Sequence, residues 1–351
     1  MPLILVGDVG GTNTRLKLYD VEPDASVPTG EPPGLVKAET YLNCEFVAFI
    51  DVVHTFLAAH LPCTFPVPSL YLPGQVHTFL AAEPKTATPP DSGCLAVAGP
   101  VEANRVHFTN RNWAIDGAQL ASALGIARIR LINDFVAVGY GLLTLDREKE
   151  CVCLQAAPHV EGTPMACVGA GTGLGEVFAT AAEPGAPYHS FASEGGHAEF
   201  APRDDLEYEL LAYLKAKYGS STRASIERVI SGPGLANVYE FLAQKHPGKV
   251  HPTVHAEFLE AGDMQGRVVS THASNTGKPN QLYSELCDQA MQIFLGAYGS
   301  ELGVAALKWA PLNGLYVGGG LTPKNIARIA EPGGPFLRAF CDKGRLSPLV
   351  R

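Results

Sequence analysis

The chain is poor in charge: Asp, Glu, Lys and Arg together make 17% of its 351 residues, while apolar types make 46%. That balance points to buried sheets. There is no basic surplus. The formal net charge of -9 argues against a nucleic-acid or acidic-membrane partner. Eight cysteines include no Cys-x-x-Cys pair and no His/Cys cluster at zinc spacing, and Cys151-Val152-Cys153 is too tight for a chelating knuckle. Reduced thiols of a cytoplasmic protein are the expectation. Neither a basic n-region nor an Arg/Ser-rich transit segment precedes the first strand, and no apolar run is expected to approach membrane-spanning length. A Gly-Lys-Ser/Thr phosphate loop opening a helix is also missing.

Two glycine turns stand in their place. Leu3-Ile4-Leu5-Val6 runs into Gly7-Asp8-Val9-Gly10-Gly11-Thr12-Asn13, and Cys167-Val168 into Gly169-Ala170-Gly171-Thr172-Gly173-Leu174-Gly175. After the first, Leu16 and Leu18 alternate with Arg15, Lys17 and Tyr19, the period of a returning strand and not of a helix. Each turn is therefore read as a hairpin tip. Glycine there allows positive φ and close approach of backbone N–H groups to an anion such as a nucleotide triphosphate, with Thr12 and Thr172 adding hydroxyl donors. Gly-rich hairpins also occur as plain turns.

Strand and helix patterns alternate along the chain, as in an α/β protein. Helices are expected over 48–59 and 204–218, the latter capped by Asp204 and stopped by Gly219. Another opens at Ser225 and is broken by Gly232-Pro233-Gly234 before 235–245, and a long one covers 281–308. Strands are expected over 94–98, 129–132 and 315–317, the last leading to a third glycine turn, Gly318-Gly319-Gly320. The heptapeptide Val-His-Thr-Phe-Leu-Ala-Ala occurs at 53–59 and again at 76–82. One copy should pack as helix, the other sitting in an inserted loop near 60–92.

Asn133 and Asp134 end a strand, where ligands of open α/β sheets collect. Asp134 could deprotonate a hydroxyl nucleophile during phosphoryl transfer, or the pair could simply cap a helix. Glu194 and His197 flank a Gly-Gly pair suited to a polyhydroxyl ligand, with no third group at metal-ligand spacing. Glu227 reads alone as a helix first-turn charge. Asp8 could hold the Mg²⁺ that accompanies ATP.

In this order the motifs resemble those of bacterial-type glucokinases, from residue 3 to about residue 345. The resemblance implies a two-domain actin-like ATPase fold (hexokinase-type, ribonuclease H-like) with an interdomain cleft, a small α/β domain over 1–144 and a large one over 145–351. It implies ATP- and Mg²⁺-dependent phosphorylation of glucose to glucose 6-phosphate, the entry to glycolysis, by a cytoplasmic homodimer. Asp134 would be the general base on the sugar 6-hydroxyl. Asn110, Asn133, Glu194, His197 and Glu227 would hold the sugar, with Trp113 beside Asn110 at the cleft entrance. Asp8, Gly10, Gly11, Thr12, Asn13, Gly171, Thr172 and Gly173 would serve the phosphates and their metal, and Gly318, Gly319 and Gly320 the adenosine. The family also implies a strand, a Gly-rich turn and a helix beyond Arg351 that return to the small domain. A chain without them is expected to expose apolar surface and lose stability or activity. The alternatives are a kinase for another hexose or an N-acetylated sugar, and a sugar-binding isoform with impaired turnover.

Overall fold

The computed structural model describes residues 2–21, 34–60, 89–108, 113–274 and 281–350. Contacts divide the chain into two compact units, Met1–Cys151 and Val152–Arg351. That division falls seven residues past the 144/145 boundary proposed from sequence.

The first unit contains β1 (Leu3–Val9), β2 (Asn13–Asp20), β3 (Leu35–Leu42), α1 (Phe49–His60), β4 (Ser92–Val97), β5 (Arg105–His107), β6 (Ala114–Asp116), α2 (Gly117–Leu124), β7 (Arg128–Asn133), α3 (Asp134–Gly141) and α4 (Arg147–Glu150). Its main sheet has the order β3-β2-β1-β4-β7, with β1, β4 and β7 parallel and the β1/β2 hairpin antiparallel. Leu5, Val9, Leu16, Leu18, Leu95 and Val97 face a core completed by Val53, Phe56 and Leu57 of α1. Each such side chain contributes roughly 1.5–3 kcal/mol on burial. Intervening positions such as Val6 and Asp8 are exposed, the alternation of a sheet covered on one face. The first heptapeptide copy thus packs as helix. The second copy and most of the inserted loop lie outside the described residues.

The second unit repeats the plan. It contains β8 (Met165–Ala170), β9 (Leu174–Ala181), β10 (Tyr188–Ser193), α5 (Asp205–Lys217), α6 (Gly232–Lys245), α7 (Pro252–Glu260), α8 (Gln265–Ala273), α9 (Glu285–Trp309), β11 (Gly314–Gly318), α10 (Ile326–Ile329) and α11 (Pro335–Cys341). The sheet order β10-β9-β8-β11 again sets an antiparallel hairpin, β8/β9, beside a parallel strand, β11. Both glycine turns are therefore hairpin tips, and each first strand has a parallel neighbour. Every residue of β8 is buried.

Three sequence expectations need correction. Gly232-Pro233-Gly234 does not break a helix; it is the first turn of α6, capped by Ser231, whose hydroxyl accepts the Gly234 N–H at 2.9 Å. Proline is harmless there because first-turn N–H groups have no helical acceptor. Ser225 opens only a short 3-10 turn, Ile226–Arg228. Finally, α9 is 25 residues long and apolar enough, by length and composition, to cross a membrane, against the expectation that no apolar run approaches that length. Its apolar surface is spent on the protein core: it packs against α6, α8 and α11, with Phe294, Leu295 and Tyr298 buried.

Candidate active site

In the first unit, Val9 pairs with Val97 and Val97 with Asn133, so the carboxyl ends of β1, β4 and β7 lie in one row. The first glycine turn and Asp134 continue from the two ends of that row. Two interstrand spacings, about 10 Å, separate them. Asn133 is indeed a helix N-cap: its Oδ1 accepts the N–H groups of Phe135 (2.9 Å) and Val136 (3.3 Å), while its Nδ2 donates to Gly99 O at 3.1 Å. Asp134 is the first residue of α3, where the helix dipole favours a carboxylate, and its Oδ1 accepts the Phe135 N–H at 2.9 Å. Asp8 lies on the exposed face of β1 and accepts a 2.8 Å ion pair from Arg15, its partner across the hairpin.

The first glycine turn is held from below by residues that no sequence motif marks. Asn43, wholly buried, donates its Nδ2 to Gly10 O at 2.8 Å and its backbone N–H to Thr12 O at 2.9 Å. Thr14, equally buried, donates its hydroxyl to Asn43 Oδ1 at 2.7 Å. Two turn carbonyls are thereby pinned inward. The Gly10 N–H closes the turn on Asn13 O at 2.9 Å, so it is already used. Asn110 lies outside the described residues. Trp113 is a core residue, tilted against Phe49 and edge-on to Phe108, with its indole N–H donated to Val47 O at 2.8 Å.

In the second unit the candidate residues converge on the end of β8. Gly171 and Gly173 close the second turn through a 2.8 Å N–H to O bond, and Gly171 O accepts the Gly232 N–H at the start of α6 at 2.9 Å. Glu227 Oε2 accepts the Leu174 N–H at 3.0 Å. Gly173 leaves room for that carboxylate; a Cβ there would sit 2.5 Å from Glu227 Oε2. On the other side of Leu174, the 3-10 turn Gly195–His197 presses so close that a Cβ on Gly196 would sit 2.0 Å from Leu174 O. Glu194 Oε2 and His197 Nε2 are 3.8 Å apart and well exposed. Leu174 thus lies between Glu227 and the turn that carries Glu194 and His197, beside the glycine turn. Gly10, Gly171 and Gly173 do not use left-handed φ; close approach, not backbone freedom, is what Gly173 supplies. Gly319 does need it, at φ 79°, and a Cβ there would also strike Ala170 O.

Beneath the Gly195–His197 turn lies a carboxyl pair that the sequence did not flag. Glu176 on β9 is buried, and a Cβ on Gly195 would lie 2.1 Å from its Oε2. Burial first, then the charge of Glu301 on α9, pushes Glu176 up to about 7, while Lys308 opposes the rise. Glu301 is raised too, chiefly by burial, against the pull of Lys308 and Lys343. The folded state therefore retains a proton on Glu176 that an unfolded carboxyl, near 4.5, has lost. Its stabilisation is complete below the unfolded value and declines as pH rises toward about 7. Glu176→Gln removes this decline. Thermal denaturation should show the variant gaining about 4 °C on the parent between about pH 5 and about pH 8. A difference that does not change with pH would show that the pair does not titrate there.

A family model described as Glucokinase matches residues 5–351. Among curated relatives, a glucokinase of Synechocystis sp. is 39% identical, the match covering 99% of this chain and 91% of that protein. One from Nostoc sp. is 36% identical over 100% and 93%. Among solved structures, a glucokinase from an Antarctic psychrotroph superposes with a TM-score of 0.69 at 27% identity, covering 99% of this chain and 91% of the other. The duplicated sheets are those of the two-domain actin-like ATPase fold. Taken with a family model that spans both units and their glycine turns, these likenesses settle the affiliation: the chain belongs to the glucokinase family.

Proposed function

We propose that the chain carries out the family's reaction, ATP-dependent phosphorylation of glucose to glucose 6-phosphate, with the following residues in its steps. Asp134 takes the proton from the sugar 6-hydroxyl as that oxygen attacks the γ-phosphorus, and ADP leaves in line. Asn110, Asn133, Glu194, His197 and Glu227 bind the remaining hydroxyls, so a sugar lacking one of them leaves its partner unpaired in the complex. Gly11, Thr12, Asn13, Thr172 and Gly173 face the phosphates, and Gly318, Gly319 and Gly320 the adenosine. The observation carrying this reading is the position of Asp134: at a helix N-terminus, at the same end of the same sheet as the first glycine turn.

Asp8 suits Mg²⁺, which typically takes one or two carboxylates and completes its shell with substrate phosphates and water. The Arg15 pair holds that carboxylate beside the turn while leaving it exposed. When bound, the ion would neutralise charge on the transferring phosphate. We further infer a cytoplasmic homodimer, testable by light scattering of the purified chain.

The deciding experiment compares kcat/KM for glucose, mannose, fructose and N-acetylglucosamine with Mg-ATP. Glucose is expected to lead each of the others by at least about tenfold, a difference of about 1.4 kcal/mol in transition-state binding. A preference for any other sugar would overturn the substrate assignment.

A further inference from the structure

Tyr298, on α9, is wholly buried, and its hydroxyl meets four polar groups at once. It lies 3.1 Å from Ala170 N, 3.1 Å from Val168 O, 3.1 Å from Gly318 O and 3.2 Å from Thr322 Oγ1. A phenol has one proton to give and two lone pairs to receive with. The Ala170 N–H can only donate. Thr322 gives its own proton to Gly318 O. The phenol proton is thus shared between the carbonyls of Val168 and Gly318.

These partners end two parallel strands. Ala170 closes β8 just before Gly171, and Gly318 closes β11 and begins the third glycine turn. A further bond, Leu321 N–H to Ala170 O at 3.1 Å, joins the same two segments. We propose that Tyr298 is a positioning residue: its hydroxyl fixes the phosphate turn at 171–173 and the adenosine turn at 318–320 relative to each other, so that one nucleotide can span both. This rests on the assignment of those turns to ATP made above. The ring is held independently of the hydroxyl, edge-on to Phe336 at 5.4 Å and Phe294 at 5.9 Å. Removing the oxygen alone should therefore leave the ring in place. Burial raises the phenol far above its ordinary range, keeping the donor neutral.

The test is Tyr298→Phe, with KM for Mg-ATP, KM for glucose and kcat measured on the full chain. KM for ATP should rise about tenfold, the equivalent of about 1.4 kcal/mol of binding, while glucose affinity by titration stays within about twofold. Equal shifts for both substrates, or no shift for ATP, would overturn the proposal, because a merely structural role would not single out the nucleotide. Should Tyr298→Phe fail to fold, Thr322→Val removes the neighbouring hydroxyl and should move KM for ATP in the same direction, less strongly. Gly171→Val separates this inference from its parent. A Cβ at Gly171 meets nothing within 4 Å, so the added side chain branches into open space at the turn where the nucleotide is assigned. If Gly171→Val raises KM for ATP and Tyr298→Phe does not, Tyr298 has no positioning role. If Gly171→Val leaves KM for ATP unchanged, the nucleotide does not use this turn and the inference falls with it.

Discussion

Asp134→Asn is expected to lower kcat by about a thousandfold while glucose still binds. Asparagine matches aspartate in shape, and its Oδ1 can keep the 2.9 Å bond from the Phe135 N–H. The cap of α3 belongs to Asn133, which the change does not touch. Stability should therefore move little, and what is lost is the proton acceptor for the 6-hydroxyl. A thermal-shift titration with glucose should show the ligand-induced rise in Tm preserved, beside an ADP-release assay near background. That combination separates a missing base from a missing site. If turnover survived at the parent rate, Asp134 would be only a helix first-turn charge, and the proton would have to leave by another route.

The elements the sequence revealed are those whose signals are local. A hairpin shows itself through alternation over a few residues, and both glycine hairpins formed as expected, as did the strand ending at Asn133 and the helix capped by Asp204, whose Oδ1 accepts the Glu207 N–H at 2.9 Å. Even there the local rule was incomplete. Glu207 reaches past its capping partner to the Arg203 N–H and guanidinium. The supports of the site were illegible because they act across the chain. Asn43 reaches back 33 residues to Gly10, and Tyr298 back 128 residues to Ala170. A lone Asn, Tyr or Glu carries no periodicity, and only the closed sheet puts it under a turn. Glycine misled in a different way. Its conformational freedom suggested positive φ at the hairpin tips, whereas Gly173 and Gly196 are required because neighbouring atoms occupy the space a Cβ would fill.

That distinction makes Gly173→Ala a sharp test of how the second unit is built. The backbone at Gly173 is not in the left-handed region, so alanine meets no conformational strain there. Its Cβ would, however, sit 2.5 Å from Glu227 Oε2. The atom in the way ends a flexible side chain, so the fold can accommodate the methyl group by turning the carboxylate aside. Doing so breaks the bond from the Leu174 N–H and takes Glu227 away from the sugar it is proposed to hold. Losing a charged hydrogen bond at a buried ligand is worth roughly 2–3 kcal/mol, so kcat/KM for glucose should fall about a hundredfold. Glu227→Gln alone should also reduce kcat/KM, and adding Gly173→Ala to it should cost much less than in the parent, because the two changes act on one group. Gly171→Ala provides the contrast, since its methyl group points into open space two residues away and leaves Glu227 in place. If Gly173→Ala kept the parent kcat/KM, the carboxylate would not need its present position, and Glu227 would be a support for the turn and not a sugar ligand.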